Sequence, residues 1–230
     1  MDNILDRAGR FRGEIFERES ALYQSLARQG QEPKALMISC ADSRVVPELI
    51  TQARPGDLFV CRNAGNIVPP FSQANGGVSS AVEYAVMALK VRDIVVCGHS
   101  DCGAMKAFLH PEKLAEMPNV ATWLRHAHAA ECVVSAAYPS LEEAAKVRAL
   151  AMENVVTQIH HLRTHPSVAA ALAQGELSLH GWFFEIENGT IWALDGATGR
   201  FAAVTGNDPL PVAISAREAA APETRWAAAQ

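Results

Sequence analysis

Two short apolar segments, each followed at once by metal-binding side chains, constrain this chain most strongly. Residues 94–97 form an apolar run that predicts a buried strand, and His99 and Cys102 follow it. Residues 36–39 are apolar or small in the same way, and Cys40 follows them. Ligands bind beyond the carboxyl ends of the strands in an open α/β sheet. We therefore expect these two strand ends to bring Cys40, His99 and Cys102 together.

These three side chains form a donor set that suits zinc. Two thiolates and one imidazole are ligands that zinc prefers, and three protein ligands leave one position open for chemistry. Asp42 follows Cys40 closely enough to be a fourth ligand, which would close the site. The His-x-x-Cys motif, His99 to Cys102, would by itself also fit a structural histidine at a strand end and a structural thiol at a helix start. Its combination with C-x-D-x-R favours the zinc site.

The order of the other segments predicts an α/β fold with a mostly parallel central sheet flanked by helices. Apolar runs of strand length alternate with helical periodicity, which is typical of parallel strands joined by helical crossovers. Asn188-Gly189 between two alternating segments predicts a C-terminal hairpin. We expect one domain over residues 1–230, with a helical arm at 1–30 and a surface tail at 205–230. The strands are predicted at 34–39, 57–61 and 92–97, and the principal helices at 78–89, 117–138, 141–165 and 168–174.

Composition excludes several classes of partner and compartment. The net charge is −5, so no basic surplus exists to neutralise nucleic-acid phosphates. No apolar run reaches the length of about eighteen residues expected of a membrane span. The first residues lack the basic-then-apolar order of a signal peptide. The chain has 5 cysteines without framework spacing, which indicates reduced thiols and a cytoplasmic protein.

The remaining cysteines and histidines are interpreted as structural. Cys61, Cys97 and Cys132 are expected to pack as small apolar residues. His126 and His128 lie two residues apart in a predicted helix and do not share a face, which favours a solvated interpretation. His180 lies within the predicted fourth strand, apart from the metal-binding segments, and we expect a hydrogen-bonded core histidine there.

Three motifs resemble the signatures of the β-class carbonic anhydrases. They are C-A-D-S-R at 40–44, R-N-A-G-N at 62–66 and G-H-S-D-C-G at 98–103, and the similarity extends over roughly residues 13–204. Within the family, the chain is most similar to the bacterial enzymes found beside cyanase. The resemblance implies a zinc lyase, a carbonate dehydratase, that interconverts carbon dioxide and bicarbonate. It also implies a homodimer or higher homo-oligomer, with N-terminal helices crossing between subunits; the arm by itself could equally cover its own sheet.

The resemblance also implies roles for individual residues. Asp42 would accept a hydrogen bond from the attacking hydroxide and aim it at carbon dioxide, while Arg44 would keep Asp42 ionised and turned from the metal. The implied substrate-binding residues are Gln31, Phe59, Ala64, Tyr84 and Gly103. Gln31 would donate its amide hydrogen bond to a substrate oxygen, and Gly103 would contribute a backbone contact. The other three would line an apolar pocket. Of the substrate-binding residues, Gln31, Phe59, Ala64 and Tyr84 would come from the partner subunit.

Two other functions remain open at this point. A zinc hydrolase of the same fold could act on carbon disulfide or carbonyl sulfide. A non-catalytic protein could hold zinc in a closed site, although the intact Asp42 and Arg44 argue against it.

Some bacterial members of the family have a second bicarbonate site that favours the closed state, and the chain matches that site only in part. The arginine of the site is present as Arg62, but Met37 and Phe184 replace a tryptophan and a tyrosine. Neither replacement donates a hydrogen bond to an anion. We therefore expect weak binding there and an open metal site, with Asp42 paired to Arg44.

Overall fold

A six-stranded sheet with the strand order β2-β1-β3-β4-β5-β6 forms the centre of the computed structural model, which describes residues 3–72, 76–206 and 211–214. The first four strands run parallel, and the last two are antiparallel to their neighbours. The predicted α/β class and the C-terminal hairpin are therefore confirmed. The strands are β1 (Ala35–Cys40), β2 (Leu58–Asn63), β3 (Asp93–His99), β4 (Ser178–Phe184), β5 (Ile191–Leu194) and β6 (Phe201–Ala203).

Helices pack against the sheet. They are α1 (Ile4–Phe11), α2 (Glu17–Gln29), α3 (Pro47–Ile50), α4 (Gly77–Met87), α5 (Gly103–Leu109), α6 (Pro118–Leu124), α7 (His128–Ala137), α8 (Glu143–Leu162) and α9 (Pro166–Gln174). A π-helical turn spans 12–16, and 3-10 turns span 64–66, 111–114 and 125–127. None of the helices in the described ranges is long and apolar enough to cross a membrane.

The central strands β1 and β3 are buried along nearly their whole length. One large apolar cluster joins these strands to α4, α9 and the end of α8. A second cluster lies around α5, α6, α7 and the start of α8, and it includes Cys40 and Cys102. The metal-binding strand ends therefore adjoin a dry core.

Helix α8 lies close against β3 and β4 because both strands carry a glycine beneath it. A Cβ on Gly98 would lie 2.8 Å from Val155 Cγ2 and 3.1 Å from the Ala151 carbonyl oxygen. A Cβ on Gly181 would lie 2.9 Å from a carbon of Ile159 and 2.9 Å from a carbon of Val155. Both positions therefore require glycine.

Two predicted elements differ from the structure. The helix expected at 117–138 is three segments, namely α6, the 3-10 turn at 125–127 and α7, and Ala127 at the end of the turn leaves helical geometry with φ −109° and ψ 5°. Strand β3 does not end before Gly98, since its pairing with β4 continues to His99 opposite Phe184.

The N-terminal arm makes few contacts with its own sheet. The arm ends at Gly30, with φ of 86°, and the π-helical turn at 12–16 separates α1 from α2. No residue of α1 or α2 is buried, and Ile4 is 79 % exposed. The arm touches its own chain where Leu26 approaches Gly56.

The tail predicted at 205–230 lies partly outside the described residues, namely at 207–210 and 215–230. Residues 211–214 do not extend away from the domain. Ile214 forms an antiparallel bridge with Leu179 of β4 and packs against the large core cluster.

We expect Gly181→Ala to lower the free energy of unfolding by about 1–3 kcal/mol, since the added methyl group would force α8 away from β4. Chemical denaturation of the two proteins measures the difference. Gly9→Ala is the matched control, because its Cβ would meet no atom within 4 Å. Equal stability of the Gly181→Ala variant and the wild type would contradict the close packing.

Candidate metal centre

The structure brings together the three predicted metal ligands at the carboxyl ends of β1 and β3. Cys40 ends β1, His99 ends β3, and Cys102 is the N-cap of α5. The two strands are direct parallel neighbours, so their ends lie side by side. The Sγ atoms of both cysteines and a ring nitrogen of His99 all lie within 4.8 Å of one another. All three side chains are buried.

The hydrogen bonding of His99 leaves one ring nitrogen available to a metal. Nδ1 lies 2.8 Å from the carbonyl oxygen of Ser100, an acceptor that fixes the proton on Nδ1. Nε2 then carries a lone pair, and it is buried without a hydrogen-bond partner. An unsatisfied buried polar atom is costly, and a bound metal ion would satisfy it.

The electrostatics of the two thiols also suit a metal ion. A hydrogen bond with Cys102 is the largest influence on the Cys40 thiol, and together with the Gly65 N–H it lowers the pKa of Cys40 well below its ordinary value. The pKa of Cys102 is raised well above its ordinary value by the same bond and by burial. The hydrogen bond between the two thiols therefore favours ionisation of one of them over ionisation of both. With the His99 lone pair, this donor set fits zinc with one position open.

Asp42 lies beside the cluster and is held by Arg44. The Arg44 backbone N–H and Nε both donate to Asp42 Oδ1 at 3.0 Å, and Nη2 donates to Oδ2 at 2.8 Å. These bonds hold the pKa of Asp42 well below its usual range. Asp42 Oδ2 lies 4.0 Å from His99 Nε2. An ionised carboxylate therefore faces the metal-binding atoms while it remains paired to the guanidinium.

Asp101 holds Arg44 in turn, and sequence reasoning missed it. Arg44 Nη1 donates to Asp101 Oδ2 at 2.8 Å, and Nη2 donates to the Asp101 carbonyl oxygen at 3.2 Å. Lys106 pairs with the other carboxylate oxygen. The available signal was the position of Asp101 inside the G-H-S-D-C-G motif.

The turn at 64–66 is held by two further residues that sequence reasoning missed. Trp123 Nε1 donates to the Ala64 carbonyl oxygen at 2.9 Å, and Asn154 Nδ2 donates to the Gly65 carbonyl oxygen at 2.9 Å. The Gly65 N–H donates to Cys40 Sγ at 3.4 Å. No local pattern signals these contacts, because both side chains are distant in sequence.

The predicted substrate-binding residues fall into two groups. Gly103 begins α5 directly after Cys102, and Ala64 precedes the glycine that contacts Cys40 of the same chain. Gln31, Phe59 and Tyr84 lie away from the Cys40 cluster of their own chain. Gln31 precedes β1 and Cys40 ends it, so a strand of 6 residues, about 20 Å at about 3.3 Å per residue, separates them.

Phe59 and Tyr84 form a pair near the amino end of the sheet. Phe59 is opposite Leu36 in the β1–β2 register, and its ring centroid lies 5.9 Å from that of Tyr84. Neither is brought to the Cys40 cluster of its own chain. Ala64 precedes Gly65, whose N–H contacts Cys40 of its own chain.

The residues matched to the second bicarbonate site make other contacts. Met37 is buried in a small apolar cluster, and Phe184 packs against it. Arg62 Nε donates to the Cys40 carbonyl oxygen at 3.1 Å, and Nη2 donates to the Asp42 carbonyl oxygen at 2.7 Å. Arg62 thus holds the loop that carries Cys40 and Asp42.

A second group of metal-binding residue types, His128, Glu131 and Cys132, lies at the surface on the single helix α7. Cys132 is exposed, so the prediction that it packs as an apolar residue is wrong, whereas Cys97 is buried as expected. His128 Nε2 and Cys132 Sγ are hydrogen-bonded to each other at 3.5 Å. His180 is hydrogen-bonded as predicted, to Asp93 Oδ1 at 2.8 Å, but it is half-buried and does not lie in the core.

Comparison with known proteins identifies the family. Residues 35–191 match the family model described as carbonic anhydrase. A carbonic anhydrase from Pseudomonas aeruginosa is 56% identical over 201 residues, covering 87% of this chain and 90% of the relative. The β-carbonic anhydrase CcaA has a structure 42% identical in sequence, with a TM-score of 0.87 and coverage of 94% of this chain and 95% of that one.

The chain belongs to the β-class carbonic anhydrases. The predicted enzyme class, a carbonate dehydratase, is thereby confirmed. One of two β-carbonic anhydrases described as tetrameric, from Sordaria macrospora, is 32% identical with a TM-score of 0.75 and covers 87% of this chain and 97% of its own.

We expect Cys40→Ser and His99→Ala to lose zinc, because two remaining ligands of a three-ligand site hold the ion poorly. Atomic absorption of the purified proteins measures zinc per chain, with one ion expected in the wild type. Cys132→Ser is the control and should keep its zinc. Stoichiometric zinc in either ligand variant would show that another set of residues binds the metal.

Proposed function

We propose that this β-class carbonic anhydrase uses zinc to catalyse the reversible hydration of carbon dioxide to bicarbonate and a proton. The observation that carries this proposal is the buried convergence of Cys40, His99 and Cys102 beside an ionised Asp42. The names of its relatives support the same reaction.

Cys40, His99 and Cys102 would hold the zinc through two sulfurs and His99 Nε2. A zinc ion in such a site supplies a Lewis acid that lowers the pKa of a water molecule toward neutrality. Asp42 would accept a hydrogen bond from the attacking oxygen nucleophile and so orient its lone pair toward the carbon of carbon dioxide. The low pKa of Asp42, which its bonds to Arg44 cause, keeps it an acceptor at cellular pH. Arg44 holds the carboxylate in this orientation.

The placement of the substrate-binding residues supports a homodimer or larger homo-oligomer. Gln31, Phe59 and Tyr84 lie toward the amino end of the sheet, and Tyr84 is 51 % exposed in the single chain. When two subunits pack against each other through this surface, these three residues of each subunit would reach the metal centre of the other. Ala64 and Gly103 would complete the pocket. The exposed arm and the tetrameric relative support the same assembly.

We further propose a cytoplasmic location without nucleic-acid or membrane partners. The free cysteines in the described part of the chain suit a reducing compartment. The net charge of −5 disfavours binding to phosphates.

Stopped-flow measurement of carbon dioxide hydration by the zinc-loaded protein tests the proposed reaction. Turnover of carbon disulfide in the same preparation tests the hydrolase alternative, for which neither the comparisons nor the site gives specific support. Activity toward carbon disulfide without carbon dioxide hydration would overturn the proposal. Inactivity toward both would favour the non-catalytic, closed zinc site.

Asp42→Asn is expected to keep zinc yet lose turnover by about a hundredfold or more, since it removes the charged acceptor that orients the nucleophile. Zinc content and the rate at saturating carbon dioxide are measured together. Asp6→Asn, an exposed position in α1, is the matched control.

Arg44→Ala is expected to lower turnover by about tenfold to a hundredfold, because it removes charge-assisted hydrogen bonds that hold Asp42. The same stopped-flow assay measures this loss. Near-normal rates for both the Asp42 and the Arg44 variants would refute the roles proposed for this pair.

The assembly can be tested at the arm. Ile4, Phe11 and Ile15 are exposed at helical spacing, so Ile15→Glu is expected to weaken the oligomer by placing a charge in an apolar contact. Sedimentation velocity measures the size distribution. Gln24→Glu adds the same charge at an exposed polar position of α2 and serves as the control. A wild-type protein that sediments as a monomer would exclude the proposed assembly.

A further inference from the structure

A single peptide unit connects Trp123 to the predicted metal ligand Cys40. The carbonyl of Ala64 accepts from Trp123 Nε1 at 2.9 Å, and the N–H of the same peptide, on Gly65, donates to Cys40 Sγ at 3.4 Å. The described peptide bonds are all trans, so this C=O and N–H point in opposite directions. Fixing the carbonyl at one end therefore aims the N–H at the sulfur.

The indole of Trp123 is itself held in place. Its ring is half-buried and packs against both large apolar clusters of the core. The ring of His126 meets it edge-on, with centroids 5.7 Å apart and planes at 80°. The indole N–H is a donor without acceptor capacity. Trp123 therefore presents one hydrogen bond from a ring whose direction the core fixes.

The peptide that follows Gly65 is held by α8. Asn154 Nδ2 donates to the Gly65 carbonyl oxygen, and Gln158 Nε2 donates to Asn154 Oδ1 at 2.8 Å. Asn154 and Gln158 are both fully buried. Buried amides with satisfied partners rigidify the segment that they contact. The turn is consequently anchored at two successive carbonyls.

Gly65 is the residue that this arrangement requires. Its φ of 78° is in the left-handed region, and a Cβ would lie 3.1 Å from Ala104 Cβ and 3.2 Å from Met105 Cε. Both of these residues lie in the first turn of α5, directly after Cys102. The turn therefore packs against the helix that carries the second thiol.

We propose that Trp123 is a positioning residue that acts through the Ala64–Gly65 peptide to hold a hydrogen bond on the Cys40 thiolate. The inference rests on the proposed zinc site. An N–H donor to a metal-bound thiolate draws charge from the sulfur and tunes its bond to the metal, as groups around metal ligands generally do. Without the indole N–H, the Ala64 carbonyl loses its protein donor and the peptide can rotate.

Cobalt substitution reports on the metal-bound thiolates of Cys40 and Cys102, of which Cys40 accepts the Gly65 N–H. Protein loaded with Co²⁺ should show a thiolate-to-cobalt charge-transfer band in the near ultraviolet. Trp123→Phe should move this band to lower energy, because the sulfur loses the stabilisation of its hydrogen bond. Trp192→Phe is the matched control, since Trp192 Nε1 has no hydrogen-bond partner. Its band should stay at the wild-type position.

A second variant separates the hydrogen bond from the packing of the ring. Site-specific replacement of Trp123 by 3-benzothienylalanine keeps the ring size but replaces the N–H by sulfur, and it should give the same shift. The exchange rate of the Gly65 amide proton, measured by NMR, should rise about fivefold in both Trp123 variants.

The outcomes distinguish this proposal from the proposed function. Suppose that the wild type shows the thiolate band, and that neither Trp123 variant shifts it or exchanges the Gly65 amide proton faster. This result would overturn the role of Trp123 and leave the zinc site intact. An equal shift in Trp192→Phe would also overturn it, because the effect would then be unspecific. Absence of a thiolate band from the cobalt-loaded wild type would overturn the metal site itself, and the role of Trp123 with it.

Discussion

The parallel pairing of β1 with β3 is the constraint on which the rest of the site depends. Ser39 lies opposite Cys97 in that register, so the residues that follow the two strands emerge side by side. Both strands are buried along nearly their whole length, and slippage of either one would transfer its apolar side chains to new neighbours. The distance between Cys40 and His99 is therefore fixed by the packing of the core, before any metal binds.

The loops beyond these strands then create an environment that favours ionised groups. The Gly65 N–H contacts Cys40, and Arg62 donates to the backbone carbonyls that flank Ala41. Arg44 surrounds the carboxylate of Asp42 with three donors. Isolated charges would be unfavourable so near a dry core. Here the Asp42 carboxylate has hydrogen-bond donors that keep it ionised, and the Cys40 sulfur accepts the Gly65 N–H.

Sequence alone predicts the parts of this site that local patterns specify. Apolar runs located β1 and β3, and the residues after them identified Cys40, His99, Cys102, Asp42 and Arg44 as neighbours, because strand ends of a parallel sheet converge. The contacts of Trp123, Asn154 and Asp101 were missed. Each depends on a tertiary approach between elements distant in the chain, and a tryptophan or an asparagine in a helix fits an ordinary packed interior equally well. The exposure of Cys132 was missed for a related reason, since helical periodicity does not by itself fix which face of α7 is covered.

The close approach of α8 explains why buried amides reach the turn beside the candidate metal ligand Cys40. Gly98 and Gly181 remove the side chains that would hold this helix away from the sheet, and Val155 fills the space above both. At this short distance Asn154, adjacent to Val155 in the helix, reaches the carbonyl of Gly65, while Gln158 one turn later accepts from the Val68 N–H at 2.8 Å. A longer residue at either glycine would shift α8 and with it the donors that fix the turn beside Cys40. The packing of a helix on the sheet and the orientation of a hydrogen bond to a metal ligand are thus determined by the same contacts.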